Sequence, residues 1–465
     1  MKKKFLLALS NVSRQRLLQA VSALTLGLSL SAQAAAPKEE AQRLDADLTP
    51  LGAERAGNTT GTIPAWTGGI TKAPAGYKEG MFHPDPFSED KILFTITAEN
   101  MEQYADRLTE GQKALLKQYA PDYVIHVYPT HRSASYPNRI YDALKKNAQT
   151  AELLEYGTGV RNTIATSPFP IPKNGLEALW NHTLRYRGEQ VAFRSAFTTP
   201  SPQGAYTPIE MEYSYYFTYS QPGAKLEDID NKIFYLKTQI IQPARMAGTM
   251  NLIHETLDQV RSPRLAWRYQ AGERRLRRSP NLAYDTDYPN SSGLRTVDQT
   301  DMYNGAPDQY EWALLGKKEI YIPYNAYKLH SGDLKIADII RPRHINQELA
   351  RYELHRVWVI EANVREGINH IYKKRRFYLD EDSWQIVLSE EYNRNDELWR
   401  VSEAHLINYY EVPVPWTTLE LTYDLKSERY FVEGLDNEQR QPLNFSPNLN
   451  IREFTTSSVR RQATR

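Results

Sequence analysis

The second half of the chain alternates apolar and polar residues, which is the period of a half-buried β-strand. The alternation is longest over residues 209–220. Its apolar positions are Ile209, Met211, Tyr213, Tyr215, Phe217 and Tyr219, and its other positions are Glu210, Glu212, Ser214, Tyr216, Thr218 and Ser220. Shorter segments of the same type flank it, and we expect strands at 191–198, 233–241, 265–270, 319–324, 352–364, 370–378, 384–391, 398–410 and 419–425.

Before Gly188 the apolar period is that of a helix. Thr109 and Gln112 have the spacing of a capping box and predict a helix start. A second helix is expected over residues 137–157, and a third begins at Asn174. The pattern therefore predicts a helical region ahead of the strands.

Short polar links join several of the predicted strands, as β-hairpins require. The clearest links are residues 365–367 and the acidic turn 380–383. Successive strands with short links form an antiparallel meander, and a meander of roughly ten strands with one apolar face should curl around that face. The predicted fold class is α+β, with a large curled antiparallel β-sheet.

The order of these patterns divides the chain into four parts. Residues 1–34 form a signal peptide, 35–90 an irregular lead-in rich in glycine and proline, and 436–465 a polar tail that wraps the outside or frays. Residues 91–435 form the sheet domain, with helices mainly in 97–187 and strands mainly in 190–435.

The N-terminus has the three parts of an export signal. Basic residues at 2–4 precede an apolar run from Leu17 to Leu30, and Ala32 and Ala34 provide a small-x-small cleavage site. The run is shorter than the roughly 20 residues of a membrane span. We expect cleavage near Ala34, a periplasmic location and no transmembrane segment in the remainder.

Composition narrows the possible functions. The chain has no cysteine, which excludes disulfides, thiolate catalysis and cysteine-bound metals. Its formal charge is +1, but residues 1–34 contain five basic and no acidic side chains, which leaves −4 on the remainder. This charge argues against nucleic acid as a partner. The 31 tyrosines and 8 tryptophans favour a sheet over a helical fold.

Several motifs resemble those of a large family of exported Gram-negative proteins that is catalogued as a domain of unknown function. The family is often described as outer-membrane lipoprotein-sorting proteins. The matching stretches lie at 48–58, 61–69, 128–132, 168–172 with 174–175, 274–278, 284–285, 323–325 and 398–400. The resemblance implies a fold similar to that of the carrier LolA and the receptor LolB, an open half-barrel with helices packed on its concave side. It also implies a cavity for acyl chains or other lipophilic molecules, and an association with envelope exporters.

The candidate ligand-binding residues are aromatic side chains on the predicted apolar face: Tyr213, Tyr215, Phe217, Trp267, Tyr269, Trp358 and Trp180. Ligand cavities are mostly apolar, with few polar groups. The alternative is that these side chains fill a dry core. Arg275 and Arg277 would share one face of a strand and bind an anionic head group. The alternative for them is a solvated strand paired with acids such as Glu273.

No catalytic motif supports an enzyme. The histidines lack the spacing of metal ligands, and no glycine-rich phosphate loop or nucleophile elbow is present. The acids at 380–382 are interpreted as turn residues of a hairpin tip. We therefore expect no cofactor, no metal and no catalytic residue.

The leading hypothesis is a periplasmic carrier or chaperone that binds a lipid, an acyl chain, a lipoprotein or another lipophilic small molecule. The first alternative is a scaffold for an envelope transporter, with an envelope exporter or outer-membrane protein as its partner. The second is an exported hydrolase, in which folding would bring together His131, His254 and His405.

Overall fold

The computed structural model describes residues 36–279 and 284–463. Residues 35–465 form one compact unit. The signal peptide predicted at 1–34 lies outside the described residues. Within the described ranges, no helix is both long enough and apolar enough to cross a membrane.

Strands dominate the described residues. They are β1 Phe94–Ile96, β2 Ile125–Val127, β3 Glu152–Leu153, β4 Val160–Arg161, β5 Gln190–Thr198, β6 Ile209–Tyr216, β7 Lys232–Gln242, β8 Met250–Thr256, β9 Leu265–Gln270, β10 Arg275–Ser279, β11 Tyr310–Pro323, β12 Tyr352–Val364, β13 Lys374–Asp380, β14 Ile386–Tyr392, β15 Leu398–Tyr409, β16 Val414–Asp424 and β17 Arg429–Leu435.

Fifteen of these strands form one sheet, which contains two antiparallel meanders and the short pair β1–β2. The first meander is β5–β10 and the second is β11–β17. They join where β17 pairs with β5, through Val432 opposite Thr198. At the other end, β2 adds to β12 through a parallel bridge between Val127 and Tyr352. The sheet is not closed into a barrel, so the expected α+β fold with a curled sheet is confirmed.

The helices are α1 Lys38–Gln42, α2 Glu110–Gln118, α3 Asn138–Thr150, α4 Gly175–Leu184, α5 Ile336–Ile339 and α6 Thr456–Ala463. Short 3₁₀ turns lie at Arg43–Asp45, Met101–Arg107, Glu155–Gly157, Val297–Gln299, Pro307–Gln309, Gln347–Leu349 and Ile451–Glu453. The predicted starts of α2 and α4 are confirmed: Thr109 forms a capping box with Gln112, and the Asn174 side chain accepts from the backbone N–H of Glu177.

Several boundaries differ from the prediction. The strand β11 begins at Tyr310 instead of 319, and β16 begins at Val414 instead of 419. The helix α3 ends at Thr150 instead of reaching residue 157, because Leu153 pairs with Val160 in the β3–β4 hairpin. The strand β6 ends at Tyr216, since the chain turns at residues 217–220 and the Ser220 hydroxyl donates to the carbonyl of Ala165. The strand β17 was not predicted, because charged residues and Gly434 interrupt its pattern.

The second meander is covered on both faces. A Cβ on Gly111 of α2 would lie 2.8 Å from Cγ1 of Val401, so this helix touches β15 directly. The helix α4 packs in a cluster with Ala404 of the same strand. Val401 and Ala404 are three positions apart and point to opposite faces. The helices expected on the concave side therefore divide between the two sides of the sheet.

The C-terminal segment packs on the first meander. Phe454 and Val459 of this segment are buried against Met250, Leu252 and Tyr269 of β8 and β9. The tail therefore covers one face of these strands, and the opposite face belongs to the site described next.

Candidate ligand-binding site

A cavity of about 160 Å³ lies between the first meander and the loop at residues 284–304. The strands β6, β7, β8 and β9 form one wall, and the loop forms the other. Most of the lining is aliphatic or aromatic: Phe197, Met211, Tyr213, Tyr215, Phe234, Leu236, Ile240, Ile253, Ala266, Trp267, Tyr288 and Val297.

Strand alternation produces this wall. Tyr213 and Tyr215 of β6 lie opposite Thr238 and Leu236 of β7, and all four line the cavity. On β8 and β9, Ile253 lies opposite Ala266. The small Ala266 leaves space that a larger side chain at this position would occupy.

Stacked rings stiffen the aromatic part of the wall. Tyr213 stacks on Phe193 with ring centroids 4.6 Å apart, and Tyr215 stacks on Phe217 at 5.4 Å. Aromatic pairs of this kind add about 0.5–1.5 kcal/mol beyond their buried area. The wall therefore keeps its shape without a ligand.

A second cavity of about 80 Å³ continues from the first. Tyr213, Tyr215, Arg187, Asp301 and Glu433 line both cavities. The second cavity extends the slot over β5 and β16, where Phe193, Ser195 and Trp416 line it.

The loop is held in place by Arg295, whose side chain is fully buried. Its guanidinium contacts Glu420 and also Glu433, the latter at 2.8 Å. Burial and the nearby Glu433 raise the pKa of Glu420 to about 8, although Arg295 opposes the shift. This shift favours the neutral form of Glu420.

Two further ion pairs border the cavity. Asp301 binds Arg185 at 2.5 Å and Arg187 at 2.7 Å. Burial alone would raise the pKa of Asp301, but the two arginines hold it well below its usual range. On β8, Glu255 binds Arg264 at 2.7 Å. The cavity thus combines an apolar wall with several buried charges.

The structure places some of the predicted ligand-binding residues at this cavity. Tyr213 and Tyr215 line it. Trp267 borders it, but its ring packs against the cluster beneath the C-terminal segment, 4.9 Å from the ring of His254. Phe217 packs behind Tyr215, with the guanidinium of Arg187 5.0 Å above its ring. Tyr269 lies in the cluster beneath the C-terminal segment.

The remaining predicted residues lie elsewhere. Trp180 is buried and donates to the carbonyl of Gly157 at 3.0 Å, and Trp358 stacks on Trp384 at 6.2 Å in the core of the second meander. Arg275 and Arg277 are exposed on β10, where Arg277 pairs with Glu273 at 2.7 Å. These four residues do not face the cavity.

The acidic turn at 380–382 differs most from its prediction as the tip of a hairpin. The hairpin is present, but all three acids are buried, each at most 3% exposed. Arg132 binds both oxygens of Asp382, at 2.7 and 2.8 Å, and Lys317 binds Glu381 at 2.8 Å. The segment after β2 and the strand β11 bring these cations to the turn from distant parts of the chain.

The same turn contains one possible set of cation ligands, namely His355, Asp380 and Asp382. Both oxygens of Asp382 already accept from Arg132, and a cation would have to compete with this guanidinium. Burial and the neighbouring Asp382 raise the pKa of Asp380 to about 7. A proton on Asp380 suits this site better than a metal ion.

The histidines considered for a hydrolase have separate partners. His131 binds Asp90 at 2.8 Å, and His254 binds the carbonyl of Phe454 at 2.9 Å. His405 is fully buried, 3.7 Å from Glu403. The fold therefore does not bring the three histidines together.

Sequence reasoning missed the polar residues of the cavity. Arg187 follows α4, Asp301 lies in a loop, and Glu255 and Arg264 belong to neighbouring strand segments. Arg185 and Arg187 lie two positions apart after α4. Their common carboxylate, Asp301, is more than a hundred residues away.

Comparisons with known proteins identify relatives of the chain. A family model described as "Protein of unknown function (DUF1329)" matches residues 95–460. The uncharacterized protein PA3922 of Pseudomonas aeruginosa is 46% identical over 438 residues, which cover 94% of this chain and 96% of the relative.

Solved structures with limited similarity include a putative outer membrane lipoprotein-sorting protein domain from Vibrio parahaemolyticus. It is 13% identical, with a TM-score of 0.40, over 58% of this chain and 91% of the other. A LolA superfamily protein, NE2245, from Nitrosomonas europaea is 14% identical, with a TM-score of 0.36, over 62% of this chain and 99% of the other.

Proposed function

Since the chain belongs to the DUF1329 family of proteins of unknown function, we propose a function from its cavity: a non-catalytic periplasmic carrier or chaperone that binds a hydrophobic ligand of the cell envelope. The observation that carries this proposal is the slot between the first meander and the loop at 284–304, which aromatic side chains line but do not fill.

The size of the cavity limits the ligand. A cavity near 150 Å³ lined by apolar side chains can hold a benzene molecule, whereas drug-sized ligands occupy about 300–1,000 Å³. The main cavity, at about 160 Å³, fits one ring or a short chain, and the adjoining cavity extends the slot. Among the candidate ligands, a single-chain lipophile fits better than the several acyl chains of a lipoprotein.

The N-terminal pattern supports the proposed location. A basic segment, an apolar run and a small-x-small site precede residue 35, and this arrangement directs a chain to export. A carrier between the two membranes must lie in the periplasm. Lipophilic molecules cross this aqueous compartment only slowly when no carrier binds them.

The charges in the cavity support binding over catalysis. Asp301, Glu255 and Glu433 each bind an arginine. A general base must accept a proton from the substrate near the operating pH, and the two arginines hold the pKa of Asp301 well below that range. The cavity therefore suits recognition of a ligand better than proton transfer.

The proposal is tested with a substitution that fills the slot. Ala266→Trp places an indole in the cavity, and Ala313→Trp adds the same side chain at an exposed position on β11. Native mass spectrometry of protein purified from the periplasm should show a copurifying lipophile in the wild type and in Ala313→Trp. The Ala266→Trp protein should lose it.

A fluorescence titration with the neutral apolar probe N-phenyl-1-naphthylamine gives a second readout. We expect saturable binding to the wild type and to Ala313→Trp, and at least about a tenfold loss of affinity for Ala266→Trp, since the indole and the probe compete for one volume. Equal binding by all three proteins, or no binding by any, would refute the proposal.

The edge strand β10 supports a second candidate function, a scaffold for an envelope transporter. Within residues 36–279 and 284–463, β10 pairs only with β9, so its outer edge can receive a strand of another protein. Arg275 and Arg277 are exposed there. Cross-linking in cells should give an adduct with one envelope protein, and the double variant Arg275→Glu/Arg277→Glu should lose it; an unchanged pattern would exclude this function.

A further inference from the structure

We propose that the ligand of the slot is an anionic amphiphile, with its apolar tail against Tyr213 and Tyr215 and its anionic head group bound by Arg187 and Arg268. This inference rests on the proposed function, since it specifies the ligand that the cavity binds. The head group is a carboxylate or a phosphate monoester, because both offer the paired oxygens that a guanidinium recognises.

Arg268 is the first observation behind this proposal. It belongs to β9, lines the cavity beside Ala266, and is partly buried. Within the described ranges, its side chain has no carboxylate partner, and its buried Nε makes no hydrogen bond. An unpaired guanidinium that is partly removed from water can gain a charge-assisted hydrogen bond from an anion bound beside it.

Arg187 is the second observation, and it lines both the main and the adjoining cavity. One of its Nη atoms binds Asp301 at 2.7 Å, while its buried Nε makes no hydrogen bond within the part of the chain that the structure describes. The guanidinium lies over Phe217 and Phe234, at 5.0 and 5.4 Å from their ring centroids. Its remaining donors therefore meet an apolar wall, where a charge-assisted hydrogen bond is strongest.

The charges of the slot favour an anion. Among the described residues, Arg187, Arg264 and Arg268 line the main cavity together with Asp301, Glu255 and Glu433. Asp301 is shared by Arg185 and Arg187, and Glu433 is bound to Arg295. Arg268 has no carboxylate partner among the described residues. The arginines at or next to the slot therefore outnumber the carboxylates there; they are Arg185, Arg187, Arg264, Arg268 and Arg295.

The protonation of Glu420 enlarges this excess. This carboxyl lines the adjoining cavity and contacts Arg295, and its pKa is raised by burial to about 8. The shift favours its neutral form, so Glu420 adds little negative charge to the slot. An amphiphile with a positive head group would meet repulsion in the same slot.

The experiment compares ligands that share a tail and differ in the head group. The mature chain is titrated by calorimetry with octanoate, octyl phosphate, octan-1-ol and octyltrimethylammonium. We expect at least one of the two anions to bind at least about tenfold more tightly than octan-1-ol, because a charge-assisted bond to arginine adds about 1.5 kcal/mol or more. The cation should bind more weakly than octan-1-ol. The better of the two anions identifies the head group as carboxylate or phosphate.

Variants then locate the head group. Arg268→Gln should reduce the affinity for the preferred anion to that of octan-1-ol while leaving octan-1-ol unchanged, and Arg268→Lys should retain part of the preference. Arg275→Gln is the matched control, because Arg275 is an exposed arginine on the neighbouring strand β10. Arg268 makes no ion pair with a described residue, so its removal leaves the ion pairs of the slot intact.

Failure of this inference can be distinguished from failure of the proposed function. Equal binding of anion and alcohol, or an unchanged preference in Arg268→Gln, would overturn the anionic head group but leave the hydrophobic site standing. Absence of binding by every octyl ligand and by the neutral probe would overturn both.

Discussion

The two meanders of the sheet share one sequence pattern but differ in what covers them. In the second meander, α2 and α4 pack on opposite faces, and the turn at 380–382 is enclosed by Arg132 and Lys317. In the first meander, the C-terminal segment covers one face, while the loop at 284–304 stands off the other and leaves a slot. Strand alternation alone therefore does not decide whether an apolar face becomes core or cavity.

The covering elements explain the difference. The helices bring regular rows of side chains, such as Ala178 and Leu179, which fill the grooves of the sheet. The loop at 284–304 is instead held away from the first meander, because Arg295 and Asp298 bind partners on the second meander. A loop held by ion pairs at its base can span a groove without entering it.

The largest expected effect tests the buried charges of the second meander. Replacing Arg132 by Met leaves Asp382 buried without a partner, and we expect a loss of about 3–5 kcal/mol in the free energy of unfolding. Arg268→Met, in the slot, should cost less than about 1 kcal/mol, because Arg268 has no carboxylate partner among the described residues. Urea denaturation measures both. The double variant Arg132→Met/Asp382→Leu should recover part of the loss; similar costs for the two single variants would erase the contrast between the meanders.

An added side chain should distinguish dense packing from open space. Ala404 is fully buried in the second meander, and Ala404→Leu should cost about 1–3 kcal/mol by overpacking. Ala266→Leu extends into the slot and should change the stability by less than about 0.5 kcal/mol. Thermal and urea denaturation of Ala404→Leu and Ala266→Leu measure the two changes in stability. A large loss for Ala266→Leu would mean that the first meander is as tightly packed as the second.

The buried turn should also make stability depend on pH. The pKa of Asp380 is raised to about 7 in the folded protein, so the native state keeps a proton that the unfolded chain loses near pH 4. The contribution of protonated Asp380 to the free energy of unfolding is complete below pH 4 and is lost as the pH rises to 7. Between pH 5 and pH 8 the wild type should lose about 1–3 kcal/mol more than Asp380→Asn. Parallel pH profiles of the two proteins would contradict the raised pKa.

The smallest effect is expected at the exposed edge. Arg277 and Glu273 form an ion pair whose side chains are 62% and 46% exposed. Replacing Arg277 by Gln should change the free energy of unfolding by less than about 0.5 kcal/mol. It should also leave the affinity for octanoate unchanged, since Arg277 does not line the slot. A clear loss of ligand affinity would move the head-group site to the edge of the sheet.

Much of the fold could be predicted, because strand and helix periods are local. The strand at 352–364 was predicted with its observed bounds, and the capping box at Thr109 identified the start of α2. The strand β17 joins the two meanders but was not predicted, because its local pattern is weak. Its pairing with β5 and β16 stabilises it instead.

The site was predicted only in its apolar part. Tyr213 and Tyr215 line the slot, but Trp267 packs beneath the C-terminal segment, and Trp180 and Trp358 pack in hydrophobic clusters away from the slot. The arginines at the cavity are also not the ones that the sequence predicted. The conspicuous run around Arg275 is exposed, whereas Arg187 and Arg268, which have no motif, face the cavity.

The sequence by itself determined the periods, the turns and therefore the curled α+β sheet, because these depend on neighbouring residues. Only the tertiary structure decided which apolar face is filled, which acids are buried and which arginines lack a partner. These properties depend on elements far apart in the chain, such as Arg132 with Asp382 and Arg187 with Asp301, whose approach has no local signal.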